Sequence, residues 1–405
     1  MEQFRKCNEQ KVLRDPIHGY IHVNEQIIWD LINTPEFQRL HRIHQLGGDF
    51  QVYHTAEHSR FAHSLGVYEI VRRMIEEVSD LKQSLSEFEK IQLLCAGLLH
   101  DLGHGPFSHL FESISHENHE DRTMKIILDP GTKVGQILLE AHPDLPQNVA
   151  AILSHTHKNK LLSLLISSQL DADRMDYLLR DAYETGTSYG TFDLERILRT
   201  MRVQDNTLCI KQSGMHSVED YIMARYHMYW QVYLHPDAIS YELLIRSFFK
   251  RYEQVRKEMP IEALEILYQK PMDNASFYYL DEARLFYAFS LALQSKDQIL
   301  ADFADRILNR RLFDWILEPD PEQIADIKEK LDALGYEQEY YLYGSTFVSS
   351  QNMPYFEEGE PPIFMLNLHK ELVPLSACSA IAQALLQMPK KSSSTLYFPK
   401  EIRNI

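Results

Sequence analysis

Apolar residues recur at helical spacing through most of the chain. From Glu57 to Val78, the positions Phe61, Leu65, Ile70, Met74, Ile75 and Val78 mark one face of a helix. Phe88 to Leu99 is apolar nearly all round and predicts a buried central helix. Shorter helices are predicted from Glu25 to Asn33 and from Pro35 to His44, where Pro35 suits a first helical turn. Leu161 to Tyr183 predicts one further long helix. Ser217 with Asp220 resembles a capping box and opens a helix running to about Glu258. Pro260 and the stretch Pro271 to Asn274 interrupt the pattern, and two or three more helices follow to about Leu334. Strand patterns are confined to the two ends. Val12 to Val23 reads as short strands about Asp15-Pro16 and Gly19, and Tyr340 to Val348, Ile363 to Asn367 and Thr395 to Phe398 read as strands. The expected fold is mainly α, with short β-hairpins and a small α+β C-terminal region. A first domain over residues 1–260 is expected, then a C-terminal helical region with a short β-containing tail over 261–405, with a compositional shift near 338.

Composition narrows the functions open to such a chain. Of its 405 residues 44% are hydrophobic, enough for a sizeable core and against disorder. The formal net charge of -17 repels nucleic acid and anionic membranes, so neither is expected as a partner. A small anionic substrate stays compatible, because a local cation or metal outweighs the global sign. Cys7, Cys95, Cys209 and Cys378 are far apart and suggest neither a zinc ribbon nor a disulfide framework. Met1 to Gln10 is polar, without the apolar stretch of a signal peptide, and no run approaches the ~18 apolar residues of a membrane span. A cytoplasmic location is therefore expected.

Three apolar helical stretches each carry a polar misfit. His63 lies within Arg60-Phe61-Ala62-His63-Ser64-Leu65-Gly66. His100-Asp101 ends the central apolar helix, where a buried carboxylate is costly unless paired or bound to a cation. Asp173 lies in Leu170-Asp171-Ala172-Asp173-Arg174-Met175-Asp176-Tyr177. Two His and two Asp make a mixed nitrogen and oxygen set, suited to Mg, Mn, Fe, Co or Ni rather than to a thiolate-preferring metal. Arg225, Tyr229 and Tyr233 share one helix face, as do Asp173, Tyr177 and Asp181. Core packing is the competing explanation for the tyrosines in a chain with 22 of them.

The order His63, His100-Asp101, Asp173 resembles the HD superfamily of metal-dependent phosphohydrolases, an all-helical fold. The likeness is stronger to its dNTP triphosphohydrolase branch. It is carried by Asp15-Pro-Ile-His-Gly19, Thr34-Pro-Glu-Phe-Gln-Arg-Leu40, Gln45-Leu-Gly-Gly48, Arg60 to Gly66, His100-Asp-Leu-Gly-His-Gly-Pro-Phe-Ser-His109, His119-Glu120 and Asp173-Arg-Met-Asp-Tyr177, within roughly residues 11 to 240. The resemblance implies one divalent metal per active site, held by His63, His100, Asp101 and Asp173. It implies attack of water on the α-phosphorus of a deoxynucleoside triphosphate, releasing deoxynucleoside and triphosphate. His109 matches the histidine proposed for proton transfer, with Glu112 in reach to orient it and His104 and His119 as further phosphate contacts. Arg60, Arg174 and Arg225 match phosphate cations, with Arg174 where the family often has Lys. Gln45, Leu46, Tyr177, Asp181 and Tyr233 are expected around the sugar, with Tyr229 on the same wall. The family's allosteric nucleotide site is matched by Lys11, Val12 and Gln38. Asn33 and His41 stand where the vertebrate enzyme has an acid and an arginine, so guanine-specific activation is not carried over. A homodimer or homotetramer is implied. Two other readings stand beside this one: an HD phosphohydrolase acting on another nucleotide, and a nucleotide-sensing protein whose catalysis has lapsed.

Overall fold

The computed structural model describes residues 4–269, 271–348, 353–359, 361–388 and 392–404. An antiparallel hairpin, Lys6–Asp15 against Gly19–Glu25, opens the chain. Its turn is fixed by Asp15 Oδ1, which accepts from the backbone N–H groups of Ile17 and His18 at 2.9 and 3.0 Å. Gly19 takes a φ of 73°, which an L side chain rarely adopts. The short helix Gln26–Ile32 follows. Pro35 to His44 forms less helix than its pattern predicts: Pro35–Gln38 is α-helical and Arg39–Arg42 tightens to a 3-10 turn.

The site is built on three packed helices. Glu87–Leu99 starts from a capping box between Ser86 and Glu89 and buries every residue from Ile91 to Leu99. Arg60–Glu77 packs along it, so closely that a Cβ on Gly97 would stand 3.0 Å from Val71 Cγ2. Ala172–Thr185 crosses the other side of Arg60–Glu77. There a Cβ on Gly66 would stand 1.8 Å from Asp176 Oδ1, so glycine is what admits a buried carboxylate against that helix.

Two long helices predicted from periodicity are broken in the structure. Leu161 to Tyr183 is Lys160–Ile166 and Ala172–Thr185, separated at Asp171. Asp171 accepts from the backbone N–H groups of Ser168 and Arg174, so its side chain caps the second helix instead of continuing the first. The helix expected from Ser217 to Glu258 begins at Met215, leaving no capping role for Ser217 and Asp220. It ends at Met228, passes through a π-helical turn at Tyr229–Tyr233 and restarts at Pro236–Val255. Pro236 has no N–H to donate and stands at the first turn of the restarted helix.

The periodicity shows three further helices as expected, Glu282–Ala292, Gln298–Leu308 and Pro321–Ala333. It misses the hairpin Met201–Gln204 with Thr207–Lys211 and the strand Phe313–Leu317. The tail strands are Tyr343–Val348, Phe364–Leu366, Leu372–Pro374 and Ser392–Pro399. Thr207–Lys211 pairs in parallel with Phe364–Leu366, and Ser392–Pro399 lies between Phe313–Leu317 and Tyr343–Val348. One hydrophobic core extends from Ile21 to Ile402. No helix among the described residues is long and apolar enough to cross a membrane.

Candidate metal centre and its cavity

His63 projects from the first turn of Arg60–Glu77, His100 caps the C-terminus of Glu87–Leu99, Asp101 follows in the turn, and Asp173 lies in the first turn of Ala172–Thr185. These four converge. His63 Nε2 is 3.3 Å from His100 Nε2, 3.0 Å from Asp173 Oδ1 and 3.8 Å from Asp101 Oδ2. His100 Nε2 is 3.4 Å from Asp101 Oδ1 and 3.7 Å from Asp173 Oδ1. Ligand atoms of His63, His100 and Asp101 all lie within 4.8 Å of one another, a spacing close to that of atoms sharing one ion at about 2.1 Å, and Asp173 stands beside the two histidines.

The hydrogen bonds behind the rings give a stronger test of fit. His100 Nδ1 is 3.0 Å from the carbonyl of Gly97, which can only accept, so Nδ1 carries the proton. His63 Nδ1 faces Asp176 Oδ2 at 2.8 Å, and Asp176 accepts from Arg180 Nε and Nη2 at 2.8 and 2.9 Å. With Nδ1 of each ring engaged from behind, the two Nε2 atoms and the carboxylate oxygens face the same space, which either a proton shared between His63 and Asp173 or a divalent cation would fill. Burial works against a charged His63, yet Asp173 and Asp176 outweigh it and hold the imidazole up at about 10. Burial also opposes the Asp101 carboxylate, but Arg60, His100 and His104 hold it well below the usual range. The field that attracts a proton to His63 attracts a divalent ion equally.

Arg60, expected as a phosphate cation, donates to Asp101 Oδ2 at 2.5 Å and to Ser108 Oγ at 3.1 and 2.9 Å. It therefore also fixes Asp101. His104, Glu112 and His119 meet on the adjoining side. His119 Nδ1 is 2.6 Å from Glu112 Oε1, and the His104 and His119 rings stack at 3.9 Å and 22°. His104 Nε2 is 3.4 Å from Asp101 Oδ1, and burial together with Arg60 pushes its imidazole well below the usual range, so it is neutral. Ligand atoms of these three also lie within 4.8 Å of one another. Parallel rings suit proton or phosphate contacts better than a second converging ligand set. His109 opens the helix His109–Ser115 after Phe107 and Ser108, both at positive φ, and its side chain lies outside the described residues.

A cavity of about 510 Å³ borders the centre through Asp101 and Asp173. Of the expected substrate contacts, Gln45, Leu46, Arg60, Tyr177, Asp181, Tyr229 and Tyr233 line it, as do His104 and His119. Asp181 is held from two sides, by His58 Nε2 at 2.8 Å and by the Tyr233 hydroxyl at 2.9 Å. Arg174 and Arg225 are not among the lining residues. Arg174 Nε is 3.5 Å from Asp171 Oδ2, and Arg225 donates to the carbonyl of Pro354 at 3.2 Å and sits over the Tyr229 ring. Burial pushes Asp171 up to about 7 even with Arg174 beside it. A smaller cavity of about 250 Å³ reaches His100 from another side and shares Asp101, His119, Glu120 and Asp173.

The expected effector residues lie around the hairpin. Lys11 stands over the Trp29 ring at 6.0 Å, and Asn33 donates to the Trp29 carbonyl at 2.7 Å. Gln38 donates to the Ile32 carbonyl at 2.9 Å, His41 stacks on Phe61 at 3.6 Å, and Val12 is half exposed. Sequence reasoning assigned no role to Asp176, His58, Ser108, Asp49, Glu120 or Glu242. Asp176 had a readable signal, lying one turn beyond Asp173 in the same motif.

Fold and site together define a helical class in which three helices bring His, His-Asp and Asp to one candidate cation site. The HD domain family matches residues 60–181 and the HD associated region matches residues 192–339. The chain belongs to the HD-domain phosphohydrolase superfamily. It is 44% identical to the uncharacterized protein YwfO of Bacillus subtilis, over 98% of this chain and 94% of that protein. It is 32% identical to the deoxynucleoside triphosphate triphosphohydrolase SAMHD1 homolog of Dictyostelium discoideum, over 61% of this chain and 50% of that protein. A solved phosphohydrolase of Bacteroides thetaiotaomicron superposes with a TM-score of 0.87 at 26% identity, covering 97% of this chain and all of that one.

Proposed function

We propose that this protein hydrolyses deoxynucleoside triphosphates to deoxynucleoside and triphosphate, using one divalent cation held by His63, His100, Asp101 and Asp173. The observation that carries the reading is the shape of the larger cavity. It starts at Asp101 and Asp173 and follows one face of the helix Ala172–Thr185 past Tyr177 to Asp181. Similarity to the SAMHD1 triphosphohydrolases supports the same substrate class.

When bound, the cation supplies Lewis acidity to a phosphoryl oxygen. The chain's own groups supply the rest. The oxygen of a water forms the new bond to the α-phosphorus, the bond to the 5′ oxygen breaks, and that oxygen takes a proton as the deoxynucleoside leaves. His109 is the proposed proton donor, with Glu112 positioning it and with His104 and His119 contacting phosphate. Arg60, Arg174 and Arg225 balance the triphosphate charge, the last two after turning from Asp171 and Pro354. A carboxylate has about four acceptor sites. Asp181 uses two, on His58 and Tyr233, and keeps capacity for a sugar hydroxyl. Leu46, Tyr177 and Tyr233 line the remaining face, with Tyr177 and Tyr233 ring centroids 6.2 Å apart, and are the proposed wall against a 2′ hydroxyl. The surface carrying Lys11, Val12, Asn33, Gln38 and His41 is the proposed place for an effector nucleotide, in a homodimer or homotetramer.

The test is product analysis by chromatography, with Mg or Mn and each dNTP singly and then as a mixture. Nucleoside plus triphosphate is the expected outcome, and activity confined to the mixture reveals an effector. Monophosphate plus orthophosphate, or binding without turnover, sinks the proposal in favour of another phosphohydrolase or of a lapsed sensor.

A further inference from the structure

The cavity has a second set of polar groups at the end away from the metal ligands. Asp173, Tyr177 and Asp181 are spaced one helical turn apart, so Asp181 lies about 12 Å along the helix from Asp173. Next to Asp181 the cavity is closed by Asp49 and Glu242. Asp49 follows the Gly47-Gly48 turn, where a Cβ on Gly48 would stand 2.3 Å from the Tyr241 ring. That close approach presses the Asp49 loop against the helix Pro236–Val255, which carries Glu242.

These two carboxyl groups are unlike the others in the site. Asp49 is only 7% exposed, and its oxygens hydrogen-bond to nothing among the described residues. Glu242 likewise has no side-chain hydrogen bond or ion pair there, and the nearest opposing charge is Arg246, one turn along its own helix. Gln45 Oε1, lining the same cavity, is buried without a partner. Burial pushes both Asp49 and Glu242 above the usual carboxyl range, and Glu242 and Asp181 push Asp49 further. The carboxyl oxygens are open to the cavity rather than sealed in the core, so a ligand donor can reach them. Nor do Asp49, Asp181 and Glu242 form a convergent set like that of the metal ligands among the described residues. The open groups want hydrogen-bond donors, and the substrate is what enters the cavity.

With the α-phosphorus at the metal end and the sugar beside Asp181, the group reaching this end is the nucleobase. We infer that Asp49 and Glu242 read the donor edge of the base and favour bases carrying an exocyclic amine over thymine. Adenine, cytosine and guanine each offer an amino group, whereas thymine offers one ring N–H flanked by two carbonyl oxygens that face the carboxyl oxygens unfavourably. A site whose buried polar groups are left unpaired by the wrong ligand discriminates far more strongly than an apolar pocket does. The inference rests on the triphosphohydrolase reading and adds the specificity of that same cavity.

An internal competition tests it. All four dNTPs are supplied at equal concentration with Mn or Mg, and the four deoxynucleosides are quantified early in the reaction, so their ratios give relative kcat/KM. The wild type is expected to release the three amino-bearing nucleosides at least about tenfold faster than thymidine. Asp49→Asn and Glu242→Gln are each expected to reduce that ratio to within about threefold, because an amide presents a donor to the thymine oxygens. Equal release of all four nucleosides by the wild type overturns the inference while leaving the triphosphohydrolase reading intact. So does a preference that survives in both variants. Absence of any nucleoside or triphosphate overturns both. Either variant alone decides the matter if the other does not fold.

Discussion

The two ends of the cavity are built on opposite terms. At the metal end the rings and carboxylates are held from behind. Gly97 fixes His100, Asp176 fixes His63, and Arg60 fixes Asp101. What stays open is a tight cluster of nitrogen and oxygen atoms that favours a positive charge. At the far end Asp49 and Glu242 have no such backing and face the cavity without partners. The first arrangement is complete before substrate arrives, apart from its ion. The second is completed only by what binds. On the proposed reading, a rigid centre for the reacting phosphorus and an unfinished surface for the base would place the stabilising interactions where charge develops and the discriminating ones where substrates differ.

The largest expected effect comes from breaking the metal end. Asp101→Ala is expected to abolish turnover and to lower bound divalent metal, measured by atomic emission, from about one per chain toward none. Full activity in metal-free Asp101→Ala protein would remove the centre from the chemistry and the contrast with it.

A smaller effect sharpens the claim that the metal end is held from behind. Asp176→Asn keeps the shape but weakens the acceptor on which His63 Nδ1 depends, and it leaves Arg180 with less compensation. Metal affinity, titrated against a chelator, is expected to fall about 10- to 100-fold. A melting curve recorded alongside separates loss of the ion from loss of the fold. Unchanged affinity in a folded variant would mean that the ligands organise themselves.

How much of this was legible depends on the range of the interactions. The ligand set was readable because each polar residue interrupts an apolar helix and stands in a contiguous motif. In the structure His63, His100 and Asp101 come within 4.8 Å of one another, with Asp173 beside the two histidines. Helix breaks were less readable. Ser167 to Asp171 fits a helix interior as well as a break, and what decides it is the Asp171 side chain taking the N–H groups of Ser168 and Arg174. The missed hairpin did carry a signal. Asp205-Asn206 both adopt positive φ, at 51° and 56°, as a tight two-residue turn requires. Asp49 and Glu242 carried none. Nothing local marks which of 58 acidic residues faces a cavity, because the placement of these two depends on Gly48 meeting Tyr241 across nearly 200 positions of chain.

The smallest expected effect concerns stability, and it runs opposite to function. Burial first, then Glu242 and Asp181, raise the Asp49 carboxyl well above its usual range. The folded state therefore binds that proton more tightly than the unfolded state does. Stability at this residue is fully present below the unfolded value of about 4 and is lost as pH rises through the folded value. Asn in its place has no proton to lose. Asp49→Asn is thus expected to be more stable than the wild type at pH 8, by on the order of 1 kcal/mol, the low end for a buried polar group without a partner. The difference should shrink toward zero near pH 4. The comparison between the two proteins at each pH cancels the acids they share, apart from Glu242 and Asp181, whose own titration eases once Asp49 is neutral. Denaturant unfolding at pH 4, 6 and 8 measures it. A difference that stays constant over that range would mean that Asp49 is solvated and already answered in the free protein, and the far end of the cavity would then be as finished as the metal end.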